Sequence, residues 1–184
     1  MQAAALGAVG VCLLAPAVVA AAQSSGLITR EEALASVFPG ALIEPERVFL
    51  TERQQRRAAE LAGVPVPTAL IARYRARREG RVIGRAYVDT HVVRTKRESL
   101  LISLDDGGRV LRIDVTAFLE PPEYLAPDPW LRQYQNRALT DDLNIQRAIR
   151  PMAGATLTAR AANEAVRRIL AIDRVLELEA EETR

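Results

Sequence analysis

From Leu70 to Val115 the chain presents extended segments one after another with no helical pattern between them, and this run constrains the fold more than any other feature. Leu70, Ala72, Tyr74 and Ala76 alternate with Ile71 and then with arginines, Glu79-Gly80 makes a turn, and Val82–Val93 returns as a second strand. A third strand, Ser99–Leu104, puts Leu100, Ile102 and Leu104 on one face. Asp105-Asp106-Gly107-Gly108 turns it into a fourth, in which Leu111, Ile113 and Val115 are expected to point inward and Arg112, Asp114 and Thr116 outward. Successive antiparallel strands without intervening helices predict an α+β domain and argue against a doubly wound parallel sheet. The sequence contains no Gly-x-Gly-x-x-Gly or Walker pattern that would contradict this.

Helices are expected on both sides of the sheet region. Thr29-Arg30-Glu31-Glu32 supplies a cap and early acidic charge ahead of Ala33, Leu34 and Val37, and Pro39-Gly40 ends that helix. Arg47–Leu50 reads as a short extended segment. Thr51-Glu52-Arg53-Gln54 is a capping-box pattern that opens a second helix to about Leu61, stopped by Gly63 and the prolines at 65 and 67. Glu120 to Pro129 is a proline-rich connector that ends the sheet, because proline donates no ladder hydrogen bond. Trp130–Arg137 reads as a short helix, Thr140-Asp141-Asp142 caps a further turn, and Pro151 breaks the chain. A long last helix follows, from about Thr156 to Glu179, with an apolar stripe at Ala161, Ala165, Ile169, Ile172 and Leu176. The expected architecture is an antiparallel sheet of about four strands packed with N-terminal helices and a long C-terminal helix.

A chain of 184 residues suffices for one domain with a substantial core. Residues 1–22 carry no charged side chain and are rich in Ala, Val and Leu, ending in an Ala-x-Ala pattern, so they read as a secretory signal peptide. The first basic residue is Arg30, so the positive charge of such a signal falls to the terminal amine or to residues upstream. An uncleaved membrane anchor is the alternative; the Ala and Gly content and Pro16 weigh against it. The single cysteine, Cys12, lies inside that run, so a processed chain has no disulfide, thiolate metal site or cysteine nucleophile. His91 is the single histidine, which argues against bis-histidine haem and His-rich metal sites. With 25 basic and 23 acidic residues the net charge is +2, a balance that argues against nucleic acid as a partner. Arg73, Arg75, Arg77 and Arg78 read as the solvated face of a strand.

Gly154-Ala155-Thr156-Leu157-Thr158-Ala159 stands where the irregular segment turns into the last helix. First-turn N–H groups lack intrahelical partners and the helix dipole is positive there, so phosphate binds well at such a place, and Gly154 allows close backbone approach. Thr156 also has an ordinary reading as a helix cap. The segment resembles the Ser/Thr-Gly-Ala-Thr motif of the FMN-binding domain family, whose flavinylated members occur in the Na+-translocating NADH:quinone oxidoreductase and in the Rnf complex. The likeness extends from about Tyr74 through Leu170: a hairpin-rich region, a middle helix, then Gly-Ala-Thr-Leu-Thr-Ala and an Ala/Arg-rich helix.

In that family the Thr after Gly-Ala carries FMN through a phosphoester bond made by a dedicated FMN transferase. The resemblance therefore implies Thr156 as the attachment point, with Gly154, Ala155, Leu157 and Thr158 around the cofactor. It implies an FMN-binding domain over 69–179; the capping patterns place a helical segment over 27–68 before it, and the charged tail at 180–184 is expected to fray. Family members usually have Asp and Ser or Thr where this chain has Arg150 and Ala153, so covalent and noncovalent FMN stand as alternatives. Implied partners are membrane or periplasmic redox proteins and the transferase. The implied role is extracytoplasmic electron transfer and not substrate turnover, at a periplasmic, secreted or membrane-anchored location. The alternative is a flavin-free module of the same fold that binds a protein partner. His91, Arg94 and Lys96 as cations, and Trp130, Tyr124 or Tyr134 as stacking partners for the flavin, are weaker candidates beside structural roles. Asp105, Asp106, Asp141 and Asp142 read as turn and cap residues, so nothing specific supports a hydrolase.

Overall fold

The computed structural model describes residues 27–182; the expected signal segment, 1–22, lies outside the described residues. The elements are α1 (Arg30–Val37), β1 (Leu42–Phe49), α2 (Glu52–Ala62), β2 (Leu70–Arg78), β3 (Arg81–Val92), β4 (Arg97–Asp105), β5 (Val110–Phe118), α3 (Asp128–Leu131) and α4 (Thr156–Glu182). Five strands form one antiparallel sheet in the order β1-β2-β3-β4-β5, so the α+β class stands and the strand count among the described residues is five, not about four. The additional strand is β1, which pairs along its whole length with β2, from Leu42 opposite Arg77 to Phe49 opposite Leu70. Sequence pattern alone marks only Arg47–Leu50 as extended, because Glu44, Pro45 and Glu46 break the apolar alternation. As an edge strand, β1 tolerates that proline, and its acids face arginines of β2.

Both early helices start on capping boxes. The Thr29 hydroxyl accepts the Glu32 N–H at 3.2 Å while the Glu32 carboxylate accepts the Thr29 N–H at 3.1 Å. Thr51 and Gln54 exchange the same pair of bonds at 3.2 and 2.7 Å. Each box satisfies N–H groups that a helix start otherwise leaves open.

Alternation along β4 separates two cores. Leu100, Ile102 and Leu104 join a large cluster beneath α2 and α4, whereas Leu101 points the other way, to a smaller one with Ala33, Leu34 and Phe38. The strand is buried on both faces, as its nearly unbroken apolar run requires. Gly84 on β3 makes room for α1: a Cβ there would stand 2.5 Å from both the Phe38 ring and the Leu104 carbonyl oxygen. On β5 the register slips between Ser103 and Leu104, so Val110 is buried and Leu111 is exposed. The expectation of Leu111 pointing inward fails because a bulge shifts the alternation by one residue.

Beyond the sheet, the expected helix over Trp130–Arg137 is shorter: α3 is a single turn, followed by a 3-10 turn over Arg132–Tyr134. Thr140-Asp141-Asp142 opens turns, not a helix. The last helix runs to Glu182, three residues past its expected end and into the tail expected to fray. Ala165, Ile169 and Ile172 of the expected stripe are buried, while Ala161 and Leu176 are half-buried. Every residue from Ala165 to Asp173 is buried, more than one stripe, because α4 is enclosed by the sheet, by α2 and by the connector after β5.

Candidate functional site at the start of the C-terminal helix

The connector leads into α4 through fixed points. Leu143 and Ile149 are fully buried, and the Ile149 carbonyl accepts the Gln146 N–H at 2.8 Å. Arg150 follows with its N–H bonded to the Gln133 side-chain oxygen at 2.9 Å and its carbonyl to the Trp130 indole N–H at 2.8 Å. Pro151 and Ala153 are exposed, Met152 is half-buried, and Gly154 turns the chain at φ +77°, a conformation glycine adopts without the steric cost of a Cβ.

The Ala155 carbonyl accepts the Ala159 N–H at 3.0 Å, so Ala155 caps the helix and Thr156 occupies its first helical position. Thr156 is therefore not the cap residue that its ordinary reading made it. Alanine has no side-chain oxygen to satisfy the first-turn N–H groups, and α4 has no acidic residue in that turn. Thr156 and Leu157 are exposed, as is Gly154, whose Cβ direction meets nothing within 4 Å. Ala155 and Thr158 are buried beneath them, Thr158 almost completely. An open backbone turn, an exposed hydroxyl and first-turn N–H donors that receive no oxygen from the cap side chain, Ala155, form a donor set that suits the phosphate end of a flavin mononucleotide.

Candidates elsewhere have other partners. Trp130 is 7 % exposed, packs edge-on to Tyr134 with ring centroids 5.6 Å apart, and so is committed to the core and not to an open stacking face. Tyr134 is buried, its hydroxyl accepting a bond from Asn163 at 3.1 Å. Arg94 lies over the Tyr124 ring at 5.5 Å. The N–H groups of Arg94, Thr95 and Lys96 all bond the Glu120 carboxylate, at 3.1, 2.7 and 2.8 Å, and hold its pKa below the ordinary value. The connector is thereby tied to the β3–β4 turn. Arg73, expected on a solvated face, is buried between Glu46 of β1 and Glu177 of α4, at 2.8 and 3.2 Å.

His91, a weaker candidate cation in the sequence, sits in a buried ionic cluster that the sequence does not announce. Asp89 and His91 of β3, Glu98 of β4 and Arg168 of α4 form a chain: Arg168 grips Asp89, His91 Nδ1 meets Asp89 at 2.9 Å, and His91 Nε2 meets Glu98 at 3.0 Å. Burial disfavours the charged imidazole, but the hydrogen bonds and charges of the two carboxylates outweigh it and raise the His91 pKa to about 9. The one signal in the sequence is acidic side chains set into otherwise apolar strands, facing a helix that carries Arg167-Arg168. Thr156 precedes Arg168 by twelve residues, about 18 Å of helix at 1.5 Å per residue, so the cluster and the helix start are separate regions.

A cleft of about 620 Å³ at the β5 edge is lined by Ile28, Arg112, Asp114, Asp128 and Arg132 among others. Burial raises the Asp114 pKa there despite the Arg112 guanidinium at 2.9 Å. A second, of about 340 Å³, adjoins Arg85, Gly108 and Asp173. Neither includes a residue from 154–158. In comparisons with known proteins, the chain matches no family model, no curated protein and no solved structure.

Proposed function

We propose that the protein is an extracytoplasmic electron carrier that holds FMN by its phosphate at the start of α4, with Thr156 as the point of attachment. The observation that carries this reading is the exposed Thr156 hydroxyl at the first position of a 27-residue helix, beside the open turn at Gly154. First-turn N–H groups and the helix dipole favour the phosphate charge, and the exposure of Thr156 leaves its hydroxyl within reach of a transferase. When bound, FMN supplies one- and two-electron transfer; the protein supplies position and electrostatics. Redox partners in the membrane or periplasm fit a chain whose N-terminal segment reads as a secretory signal.

Co-expression with an FMN transferase in a bacterial periplasm, followed by intact mass measurement, tests this. The expected wild-type mass is raised by one FMN less water, and Thr156→Val lacks the increment. A colourless, unmodified wild type overturns covalent attachment.

A flavin-free partner-binding module is the second reading. It is favoured by Arg150 and Ala153 in the motif and by Phe49 and Leu70, paired across β1 and β2 at the sheet edge and 71 % and 46 % exposed.

A further inference from the structure

Both backbone polar groups of Arg150 are taken by side chains of the short helical unit before it. Trp130 spends its single indole donor on the Arg150 carbonyl, and Gln133 accepts the Arg150 N–H. The Gln133 amide also donates to the Trp130 carbonyl at 3.2 Å, so the two clamping residues are tied to each other. Fully buried Ile149 fixes the chain on one side of this point, and buried Ala155, Thr158 and Ala159 fix it on the other. Between the anchors lie only Pro151, whose φ is set by its ring, and Met152, Ala153 and Gly154. The path of these residues beside the first-turn N–H groups of α4 therefore depends on where Arg150 is held.

Resting on the flavin reading above, we propose that Trp130 and Gln133 are positioning residues for flavin attachment: their clamp on Arg150 sets the loop that presents Thr156 to the incoming phosphate. In the attachment step the Thr156 Oγ bonds to the FMN phosphorus as the phosphoanhydride of a flavin dinucleotide breaks. The nucleoside monophosphate leaves, and the hydroxyl proton passes to a base on the transferase. No electrons change hands. The clamp touches neither reacting atom; it acts through the backbone, and a small displacement of a reacting group is costly in rate.

The test uses the full chain, an FMN transferase and flavin adenine dinucleotide as the donor, with the rate of mass gain and amide hydrogen exchange as readouts. Trp130→Phe removes the N–H and keeps an aromatic ring; Gln133→Ala removes both amide bonds; Gln133→Glu keeps the acceptor for the Arg150 N–H. Trp130→Phe and Gln133→Ala are expected to lower kcat for labelling about tenfold at unchanged KM, the loss of one well-placed hydrogen bond. Gln133→Glu is expected to label near the wild-type rate. Amide exchange over 152–155 should accelerate in the first two variants while Leu100–Leu104 stays protected. Wild-type labelling rates and wild-type exchange in both variants overturn the clamp while the flavin reading stands. A wild type that takes no label overturns covalent attachment at Thr156, and the clamp's role with it. Gln133 is half-buried, so Gln133→Ala decides the matter even if Trp130→Phe fails to fold.

Discussion

Arg168 of α4 and Asp89 of β3 are joined by two bonds, Nε to Oδ2 at 2.8 Å and Nη2 to Oδ1 at 3.2 Å, with both side chains buried. The contact seats the helix on the sheet, and Arg85 with Asp173 and Arg73 with Glu177 repeat it further along the helix. Its orientation is forked and charge-assisted, which gives angular precision that apolar packing lacks.

Removing Arg168 leaves the buried Asp89 carboxylate with His91 as its remaining charged partner. Arg168→Met is expected to destabilise the protein by about 3 kcal/mol, read as a lower urea midpoint at unchanged m value. The double variant Asp89→Asn with Arg168→Met should recover part of that loss, since the carboxylate that lost its guanidinium is then neutral.

His91 makes stability depend on pH. Its folded-state pKa, about 9, lies above the ordinary 6.5, so the native state binds this proton more tightly than the unfolded chain. The contribution is complete below about pH 6.5 and is lost as pH rises through 9. Asp89 and Glu98 face the ring, and Arg168 reaches the same Asp89 from α4. Urea titrations from about pH 6 to about pH 10 should show wild-type stability falling across that window. His91→Asn should start lower and stay flatter; equal slopes for the two proteins would refute the assignment.

Gly84→Ala should be among the most damaging single-atom additions. Its Cβ would meet the Leu104 carbonyl oxygen and the Phe38 ring, each at 2.5 Å, and the first is backbone that cannot swing away. A loss of about 2–3 kcal/mol in chemical denaturation is expected from overpacking.

Gly154→Ala is the contrasting case. Nothing lies within 4 Å of the added Cβ, so the cost comes from φ +77° alone, about 1 kcal/mol. The variant should fold and lose flavin labelling out of proportion to that loss, because the turn beside Thr156 is what changes. Labelling at the wild-type rate would show that the turn does not serve attachment.

Much of the fold is legible residue by residue. Thr29 with Glu32, and Thr51 with Gln54, announce their helices because capping is local chemistry. Leu100, Ile102 and Leu104 announce their face because side chains alternate along a strand. Leu111 is misplaced by the same rule, since a bulge depends on the partner strand and leaves no mark in the sequence around it. Of the candidate site, the Gly154 turn and the helix start at Thr156 are likewise local features. The commitment of Trp130 to Arg150 is not, because it joins residues twenty positions apart through an irregular connector.

The sequence by itself determined the class of fold, the meander of β2 to β5, the capped helices and the position of Thr156 at the head of a long helix, all set by neighbours within a few residues. Only the tertiary structure decided that Asp89, His91, Glu98 and Arg168 share one buried chain of charges, that Arg73 is covered, and that Arg150 is clamped. Those pairings depend on which strand and helix faces meet, and a buried charge keeps its charge only where partners distant in sequence arrive to satisfy it.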